Sequence, residues 1–272
     1  MKVGIVGKGG VGKTTLSAMI AQGFRARGRR VLAIDTDSNP NLAISLGLDE
    51  DTANSAPVVP RNLAVGGMAQ WTPERLIETF GLPTPSGVTL LHAMRVDQAG
   101  AGCTCTSHAA VRSILGSAIE EMADITLVDM EAGLEHLSRS GGTLAYADVL
   151  LMVMEPTRKS ILTAARTIEL AQELGIPRIA GVGNKAKLPN DAEFFEKVAA
   201  EFGVPLAAIV PYDADVPAAD RRGTALSAEQ APIVREAVER ILDYVESPDA
   251  QRNALLEQRE RIDRKLIQLT EQ

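Results

Sequence analysis

The chain has few cysteines, few aromatic residues and no excess of positive charge. Only two of its 272 residues are cysteine, and they lie two positions apart, which excludes a disulfide framework and favours a reactive or metal-binding pair in a reducing compartment. One Trp, three Tyr and five Phe leave little for stacking on bases. The net charge of −7, from 28 Lys and Arg against 35 Asp and Glu, argues against a general polyanion binder. We therefore expect no nucleic-acid partner.

Long hydrophobic runs are also missing. The longest apolar run, residues 149–154, covers six positions, whereas a membrane-spanning helix needs about 20. The first residues, MKVGIVGKGG, reach glycine and lysine before an apolar segment of secretory length forms, so we expect no signal peptide. These patterns predict a cytoplasmic protein with no membrane partner.

Short apolar runs alternate with amphipathic stretches along the chain. This alternation predicts an α/β fold with a mainly parallel sheet and helices on both faces. The Pro-, Ser- and Gly-rich segments 51–62 and 80–87 are predicted to be loops. The predicted strands cover residues 3–6, 31–34, 88–91, 125–128, 149–154, 179–182 and 206–210.

The chain divides into a main domain, residues 1–246, and a charged helical extension, residues 247–272. Ser247 is the predicted N-cap of the extension, with Pro248 at its first helical position. The helix either folds back on the domain or pairs with another helix. Its narrow apolar seam consists of Leu255, Ile262, Leu266 and Leu269.

Residues 7–14 form a phosphate-binding motif. They read GKGGVGKT and satisfy G-x-x-x-x-G-K-[ST] between a predicted strand and a predicted helix. Glycines let backbone N–H groups surround the β-phosphate, and the helix N-terminus adds its positive end. Lys13 is predicted to reach the β- and γ-phosphates, and the Thr14 hydroxyl to bind Mg²⁺. The other predicted nucleotide contacts in this loop are Gly9, Gly10, Val11, Gly12 and Thr15.

A second lysine lies inside the loop. With Lys8, GKGGVGKTT resembles the deviant Walker A motif of the ParA and MinD class of P-loop ATPases. The resemblance implies a Mg²⁺-dependent ATP hydrolase and a homodimer, in which Lys8 and Lys13 are catalytic and Lys8 reaches the nucleotide of the partner. The alternative is that Lys8 is an ordinary exposed loop residue.

Two aspartates follow the second predicted strand. Asp35 and Asp37 lie at its carboxyl end, which is the edge where open α/β sheets bind ligands. In the class that the chain resembles, the second aspartate of such a pair orients or activates the attacking water. Asp37 is therefore the predicted third catalytic residue, and Asp35 a supporting one at Mg²⁺. Alternatively, both carboxylates cap a helix that starts near Asn41.

The strand DITLVD ends in a third aspartate. Asp129 fits the Walker B pattern, which holds Mg²⁺, usually through water. The resemblance places a switch that senses the γ-phosphate directly after it, at Glu131 and Gly133.

The resemblance also indicates where the base binds. Asn184 ends GVGNK at the position that hydrogen-bonds adenine, and PYDADV, with Pro211 and Asp213, is similar to the segment that closes over the base. From the residues alone, an asparagine after a strand is more often a turn residue.

The two cysteines stand in AGAGCTCTSH. If this segment is extended, Cys103 and Cys105 project to the same side, so both sulfurs face one point. Two thiolates make half of a tetrahedral S₄ site, and a two-fold dimer axis would supply the other half. A mononuclear site completed by His108 and an incidental buried cysteine pair are the alternatives. His92 and His136 are predicted to be structural.

Four segments in this order, GKGGVGKTT, DTDSNPNL, AGAGCTC and VDMEAGLEHLSR, are similar to the nickel-maturation ATPases of carbon monoxide dehydrogenase, the CooC type. The resemblance covers about residues 1–245, and the C-x-C pair and VDMEAGLEHL are its most specific parts. It implies a dimeric metallochaperone that holds Ni²⁺ or Zn²⁺ between subunits and couples ATP hydrolysis to nickel insertion into a client enzyme. The alternatives are a partition or positioning ATPase and a reductase-like [4Fe–4S] protein, whose cysteines would be expected far apart.

Overall fold

The computed structural model describes residues 1–60, 71–95, 105–115, 119–130, 144–226 and 230–247. Eight strands lie within these ranges: β1 (Lys2–Gly7), β2 (Val31–Asp35), β3 (Leu82–Pro83), β4 (Thr89–His92), β5 (Ile125–Asp129), β6 (Val149–Met154), β7 (Arg178–Ala186) and β8 (Leu206–Pro211). They form one sheet in the order β3-β4-β2-β5-β1-β6-β7-β8. Neighbouring strands are parallel except for β3 and β4.

The helices in the same ranges are α1 (Lys13–Ala26), α2 (Leu42–Ser45), α3 (Glu50–Ser55), α4 (Pro73–Phe80), α5 (Cys105–Leu115), α6 (Arg158–Glu173), α7 (Asp191–Glu201), α8 (Asp215–Arg221) and α9 (Pro232–Glu246). A short 3₁₀ helix covers Ile119–Glu121. Among these helices, none combines the length and the hydrophobicity needed to cross a membrane.

The sheet is covered on both faces, which is why its strands read as continuous apolar runs. In β2, Val31 and Ala33 face the layer built from α1, α2 and α9. The alternate residues Leu32 and Ile34 face the layer built from α4, α5, α6 and α7. Burial on both sides removes the polar face that an antiparallel sheet can keep. The predicted fold class and all seven predicted strands are confirmed.

Two predicted loops are partly wrong. Residues 51–55 belong to α3, whose N-cap Asp49 accepts a hydrogen bond from the Thr52 N–H at 2.8 Å. Acidic residues in the first turn stabilise this short helix, and the sequence pattern contains that signal. Within 80–87, Leu82–Pro83 adds the edge strand β3, which is too short for apolar alternation to reveal.

Helices α1 and α9 pack closely on one face of the sheet. A Cβ atom placed on Gly23 would lie 2.7 Å from Leu242 Cδ1, so a larger residue at this close approach would require the Leu242 side chain to shift. At the end of α1, Arg27 forms salt bridges with Glu239 at 2.6 Å and Glu246 at 2.8 Å. These contacts fix the helix that follows the phosphate-binding motif.

The C-terminal end of the described chain is the end of α9. Ser247 follows it as the C-cap residue, and its hydroxyl accepts a hydrogen bond from the Arg178 guanidinium at 3.2 Å. The predicted helical extension from Pro248 onward lies outside the described residues. The extension and the boundary at residue 247 therefore stay predictions.

Candidate functional site

The glycine-rich loop connects β1 to α1 at the carboxyl edge of the sheet. Gly10 and Gly12 have φ angles of 81° and 92°, in the region that favours glycine. A Cβ atom on Gly12 would also lie only 2.5 Å from Asn184 Nδ2. After this turn, the Leu16 N–H donates to the Gly12 carbonyl at 3.1 Å and α1 begins. The first amides of α1 therefore face the loop, as a phosphate site requires.

The two lysines of the loop have different environments. Lys13 is 7% exposed, and its ammonium donates a hydrogen bond to the Lys8 carbonyl at 3.3 Å. The Lys8 side chain is exposed. Lys13 is thus held against its own loop, whereas Lys8 is accessible to another molecule, as its predicted role in a dimer would require.

The carboxylates of two neighbouring strands lie side by side at the same edge. Asp35 ends β2 and Asp129 ends β5, and the two residues are paired in the register of the sheet. Both are almost completely buried. Asp129 accepts a hydrogen bond from the Ser17 hydroxyl at 2.9 Å. Ser17 was not among the predicted site residues, although it lies one turn after Thr14 on the same face of α1.

Burial makes the negative charge of these two groups costly. It raises the pKa of Asp35, and repulsion from Asp129 raises it further. Burial also raises the pKa of Asp129, against the effects of hydrogen bonds from Thr14 and Ser17 and of the Lys13 charge. A cation would stabilise both carboxylates in their charged form. Two carboxylates and the Thr14 hydroxyl are hard oxygen donors, so these residues fit Mg²⁺.

Of the two aspartates after β2, one also has the alternative role of capping a helix. The Asp35 carboxylate accepts hydrogen bonds from the N–H of Asp37 and from that of Leu42, the first residue of α2, each at 3.0 Å. Asp37 is half-buried, and its Oδ1 accepts from the Asn39 N–H at 2.9 Å. Asp35 therefore shapes the turn that carries Asp37.

The end of β7 contacts the glycine-rich loop directly. Asn184 is 8% exposed, and its Nδ2 donates to the Val11 carbonyl at 2.7 Å. Lys185 follows, and its ammonium donates to the Gly10 carbonyl at 2.5 Å and pairs with Glu155 at 2.8 Å. Neither contact was predicted. No local pattern distinguishes Lys185 from a surface lysine, because the contact depends on how the strands are ordered.

The segment expected to close over the base lies beside Asn184. Strand β8 ends at Pro211, and the Tyr212 N–H donates to the Ala186 carbonyl of β7 at 2.8 Å. Asp213 accepts a hydrogen bond from the Asp215 N–H at 2.9 Å, at the start of α8. The structure therefore brings Pro211 and Asp213 to the sheet edge that carries Asn184.

A histidine lies next to the carboxylates. His92 ends β4 and is paired with Asp35 in the register of the sheet. It is 1% exposed, and neither ring nitrogen has a hydrogen-bond partner among the residues that the structure describes. Burial, with repulsion from the Arg95 charge, lowers the pKa of His92 to about 4. The imidazole is therefore neutral at pH 7.

The predicted metal-binding pair is described only in part. Cys103 lies outside the described residues, and so do the switch residues Glu131 and Gly133. Cys105 is the first residue of α5 and His108 lies in its first turn, but their side chains are outside the description. Among the residues that were described, no group of three or more His, Cys, Asp or Glu could hold a metal. The C-x-C site stays a prediction.

Comparison with known proteins defines the class. The CbiA family model, the CobQ/CobB/MinD/ParA nucleotide binding domain, matches residues 4–226. The chain therefore belongs to this family, and it is a P-loop ATPase of the ParA and MinD class.

Individual relatives refine this picture. The chain is 35% identical over 236 residues to the carbon monoxide dehydrogenase accessory protein CooC of Rhodospirillum rubrum, covering 82% of this chain and 88% of the relative. It is 30% identical over 258 residues to an uncharacterized ATP-binding protein of Methanocaldococcus jannaschii, covering 90% and 97%. The fold is similar to that of the septum site-determining protein MinD of Pyrococcus horikoshii, complexed with Mg-ADP, with a TM-score of 0.68, 20% identity and coverage of 90% and 96%.

The neutral His92 predicts a pH dependence of stability. Its pKa is lower in the folded protein, so below the ordinary value of 6.5 the unfolded chain binds a proton that the folded protein excludes. The free energy of unfolding should fall as pH decreases from about 6.5 to 4, by about 2 to 3 kcal/mol from this group. Urea unfolding of the wild type and of His92→Phe at several pH values measures how much His92 contributes to the pH dependence of the free energy of unfolding. An imidazole that titrates near 6.5 by NMR, with parallel stability curves for the two proteins, would contradict the prediction.

Proposed function

We propose that this ATPase forms a homodimer that handles a soft metal ion and couples ATP hydrolysis to nickel delivery into a client metalloenzyme, with carbon monoxide dehydrogenase as the candidate. The observation that carries the proposal is the C-x-C pair in a chain 35% identical to an accessory protein of that enzyme. The protein would act in the cytoplasm without a DNA or membrane partner, in keeping with its net charge of −7.

The site supports phosphoryl transfer to water by positioning and charge neutralisation. Lys13 and the amides of the glycine-rich loop would hold the β- and γ-phosphates. Thr14, Asp35 and Asp129 would hold Mg²⁺, which neutralises charge on the phosphate oxygens when it is bound.

Asp37 would orient the attacking water from its turn at the edge of the sheet. The water oxygen forms the new bond to the γ-phosphorus while the bond to the β–γ bridging oxygen breaks. ADP and inorganic phosphate leave, and the water proton passes to solvent by way of the Asp37 carboxylate or the phosphate itself. The attack needs no covalent intermediate with the protein.

Lys8 would connect hydrolysis to dimerisation. Its side chain is exposed, whereas the Lys13 ammonium donates a hydrogen bond to a carbonyl of the same loop. In a two-fold dimer, each Lys8 would add a positive charge at the partner's nucleotide. ATP would then stabilise the dimer, because binding to the assembled form shifts the equilibrium towards it.

The position of Cys105 favours communication with the nucleotide site. β4 and β5 run in the same direction, so the connection through α5 starts at the carboxyl edge of the sheet, where the nucleotide site lies. Ala110, Val111 and Ile114 pack α5 on the face opposite α1. The positive end of a helix favours a thiolate at its first residue. A pair of thiolates from each subunit would complete a four-sulfur site for Ni²⁺ or Zn²⁺.

Substitution at the phosphate site should separate binding from turnover. Lys13→Ala should weaken ATP binding at least about 100-fold, because it removes the charge opposite the β- and γ-phosphates. Asp37→Ala should bind ATP within about threefold of wild type but hydrolyse it at least about 100-fold more slowly. Calorimetry with ATP and a phosphate-release assay measure the two effects. The exposed Lys159→Ala and Asp220→Ala serve as matched controls. Equal loss of ATP affinity in Lys13→Ala and Asp37→Ala would refute the assignment.

Metal stoichiometry should report the interface site. Anaerobic titration with Zn²⁺ or Ni²⁺ should saturate at about one ion per two chains, with four sulfur ligands by X-ray absorption. The ion should favour the dimer without nucleotide, because half a site binds poorly. Cys103→Ser and Cys105→Ser should each abolish both effects and still bind ATP. One ion per chain, lost in His108→Ala, would support a mononuclear site instead. A brown iron–sulfur spectrum would favour a reductase-like [4Fe–4S] protein. Binding to DNA or liposomes would favour a partition or positioning ATPase.

A further inference from the structure

Two carbonyl groups of the glycine-rich loop are bonded from outside the loop. The Gly10 carbonyl accepts from Lys185 Nζ at 2.5 Å, and the Val11 carbonyl accepts from Asn184 Nδ2 at 2.7 Å. The two donors are consecutive residues of β7. The two acceptors are consecutive residues of the loop that surrounds the phosphates.

Fixing these carbonyls fixes the amides behind them. A peptide group is planar and trans, so the carbonyl of one residue and the N–H of the next point in opposite directions. The bond to the Gly10 carbonyl therefore orients the Val11 N–H, and the bond to the Val11 carbonyl orients the Gly12 N–H. The Val11 N–H donates to the Lys8 carbonyl at 3.4 Å, so the bond to the Gly10 carbonyl holds a turn that is also closed within the loop. Backbone amides of this loop are the groups that bind the β-phosphate.

The loop needs such an external restraint. Gly10 and Gly12 both adopt positive φ, and glycine backbones have the largest conformational freedom in the absence of other contacts. Apart from its two chain neighbours, a Cβ atom on Gly10 would meet no atom of the described residues within 4 Å, so side-chain packing within that part of the chain does not hold its backbone.

We propose that Asn184 and Lys185 form a clamp that holds the turn around Val11 and thereby orients the Gly12 amide for the β-phosphate, and that Glu155 positions Lys185 in this clamp. Asn184 and Lys185 are positioning residues, since they act on phosphate through the loop. The proposal rests on the nucleotide site described above and does not depend on the metal.

The backbone of Lys185 supports this role. Its φ of 60° is the one positive value found at a non-glycine residue in the described chain. This conformation costs a lysine about 1 kcal/mol or more and persists where the surrounding structure requires it. The strained backbone places the ammonium between the Gly10 carbonyl and Glu155.

Glu155 connects the clamp to a third strand. It follows β6, its carboxylate lies 2.8 Å from Lys185 Nζ, and its own N–H donates to the Ser160 hydroxyl at 3.0 Å in the first turn of α6. The Lys185 charge is thus paired with a carboxylate whose backbone is held by the first turn of α6. Asn184 uses one Nδ2 hydrogen on Val11, so its Oδ1 and second hydrogen remain compatible with the expected contact to the base.

Removal of the Lys185 ammonium tests the clamp. Lys185→Met keeps an unbranched side chain, so the energetic cost of the positive φ should be similar. The variant therefore differs from the wild type mainly in lacking the ammonium. ADP should bind about five- to tenfold more weakly, as expected for the loss of a hydrogen bond to a charged group at a partly exposed site. AMP lacks the β-phosphate, so its affinity should change less than about twofold. Lys185→Arg should restore ADP binding to within about threefold of wild type.

A double-mutant cycle assigns the role of Glu155. Glu155→Gln should weaken ADP binding in the wild-type background but have no further effect in Lys185→Met, because it acts through the ammonium. The exposed Lys197→Met on α7 is the control, and thermal unfolding without nucleotide confirms that each variant is folded. Unchanged ADP affinity in Lys185→Met, equal losses for AMP and ADP, or additive effects of the two substitutions would each overturn the proposal. Failure of the nucleotide site itself would instead appear as absent ADP binding in the wild type.

Discussion

Two buried carboxylates that face each other across neighbouring strands are the constraint on which the site depends. Asp35 and Asp129 lie in register and almost without solvent, where burial makes both charges costly and the Asp129 charge adds to the cost at Asp35. Buried charges persist only with hydrogen bonds and countercharges. The first turns of α1 supply both to Asp129, through the hydroxyls of Thr14 and Ser17 and the ammonium of Lys13, whereas Asp35 accepts hydrogen bonds from the N–H groups of Asp37 and Leu42. The helix that begins at the phosphate loop is therefore also the one that stabilises Asp129.

The order of the strands explains how one short loop receives contacts from so many segments. β1 lies between β5 and β6, so the loop that leaves β1 has the carboxylate edge on one side and the ends of β6 and β7 on the other. Asp129 comes from the first side, and Glu155, Asn184 and Lys185 come from the second. Parallel strands all present their carboxyl ends to this edge, which is where α/β sheets bind ligands. The geometry of the loop and of the carboxylate edge thus depends on elements far apart in sequence.

The sequence predicted those parts of the fold and site that have local signals. Continuous apolar runs predicted seven strands, and the spacing of glycine, lysine and threonine predicted the phosphate loop. The acceptor of Asn184 was not predictable, because it depends on β7 lying one strand beyond β6 rather than on its own neighbours. The edge strand β3 is too short to show an alternating apolar pattern. Helix α3 was not predicted because residues 51–62 have the composition of a loop. The C-x-C site that we propose would depend on a second chain, and its only signal within one chain is the incomplete ligand set.

If nucleotide and metal both bind between the same two subunits, each must change the affinity of the other by the same factor. The most direct measurement is the affinity for Zn²⁺ or Ni²⁺ in anaerobic calorimetry with and without a non-hydrolysable ATP analogue, together with the affinity for the analogue with and without metal. We predict equal factors that exceed about fivefold in the wild type and fall to about one in Lys8→Ala, whose subunits would no longer share the nucleotide. A wild-type protein that binds both ligands, with a metal affinity unaffected by the analogue, would contradict the coupling of ATP to metal delivery.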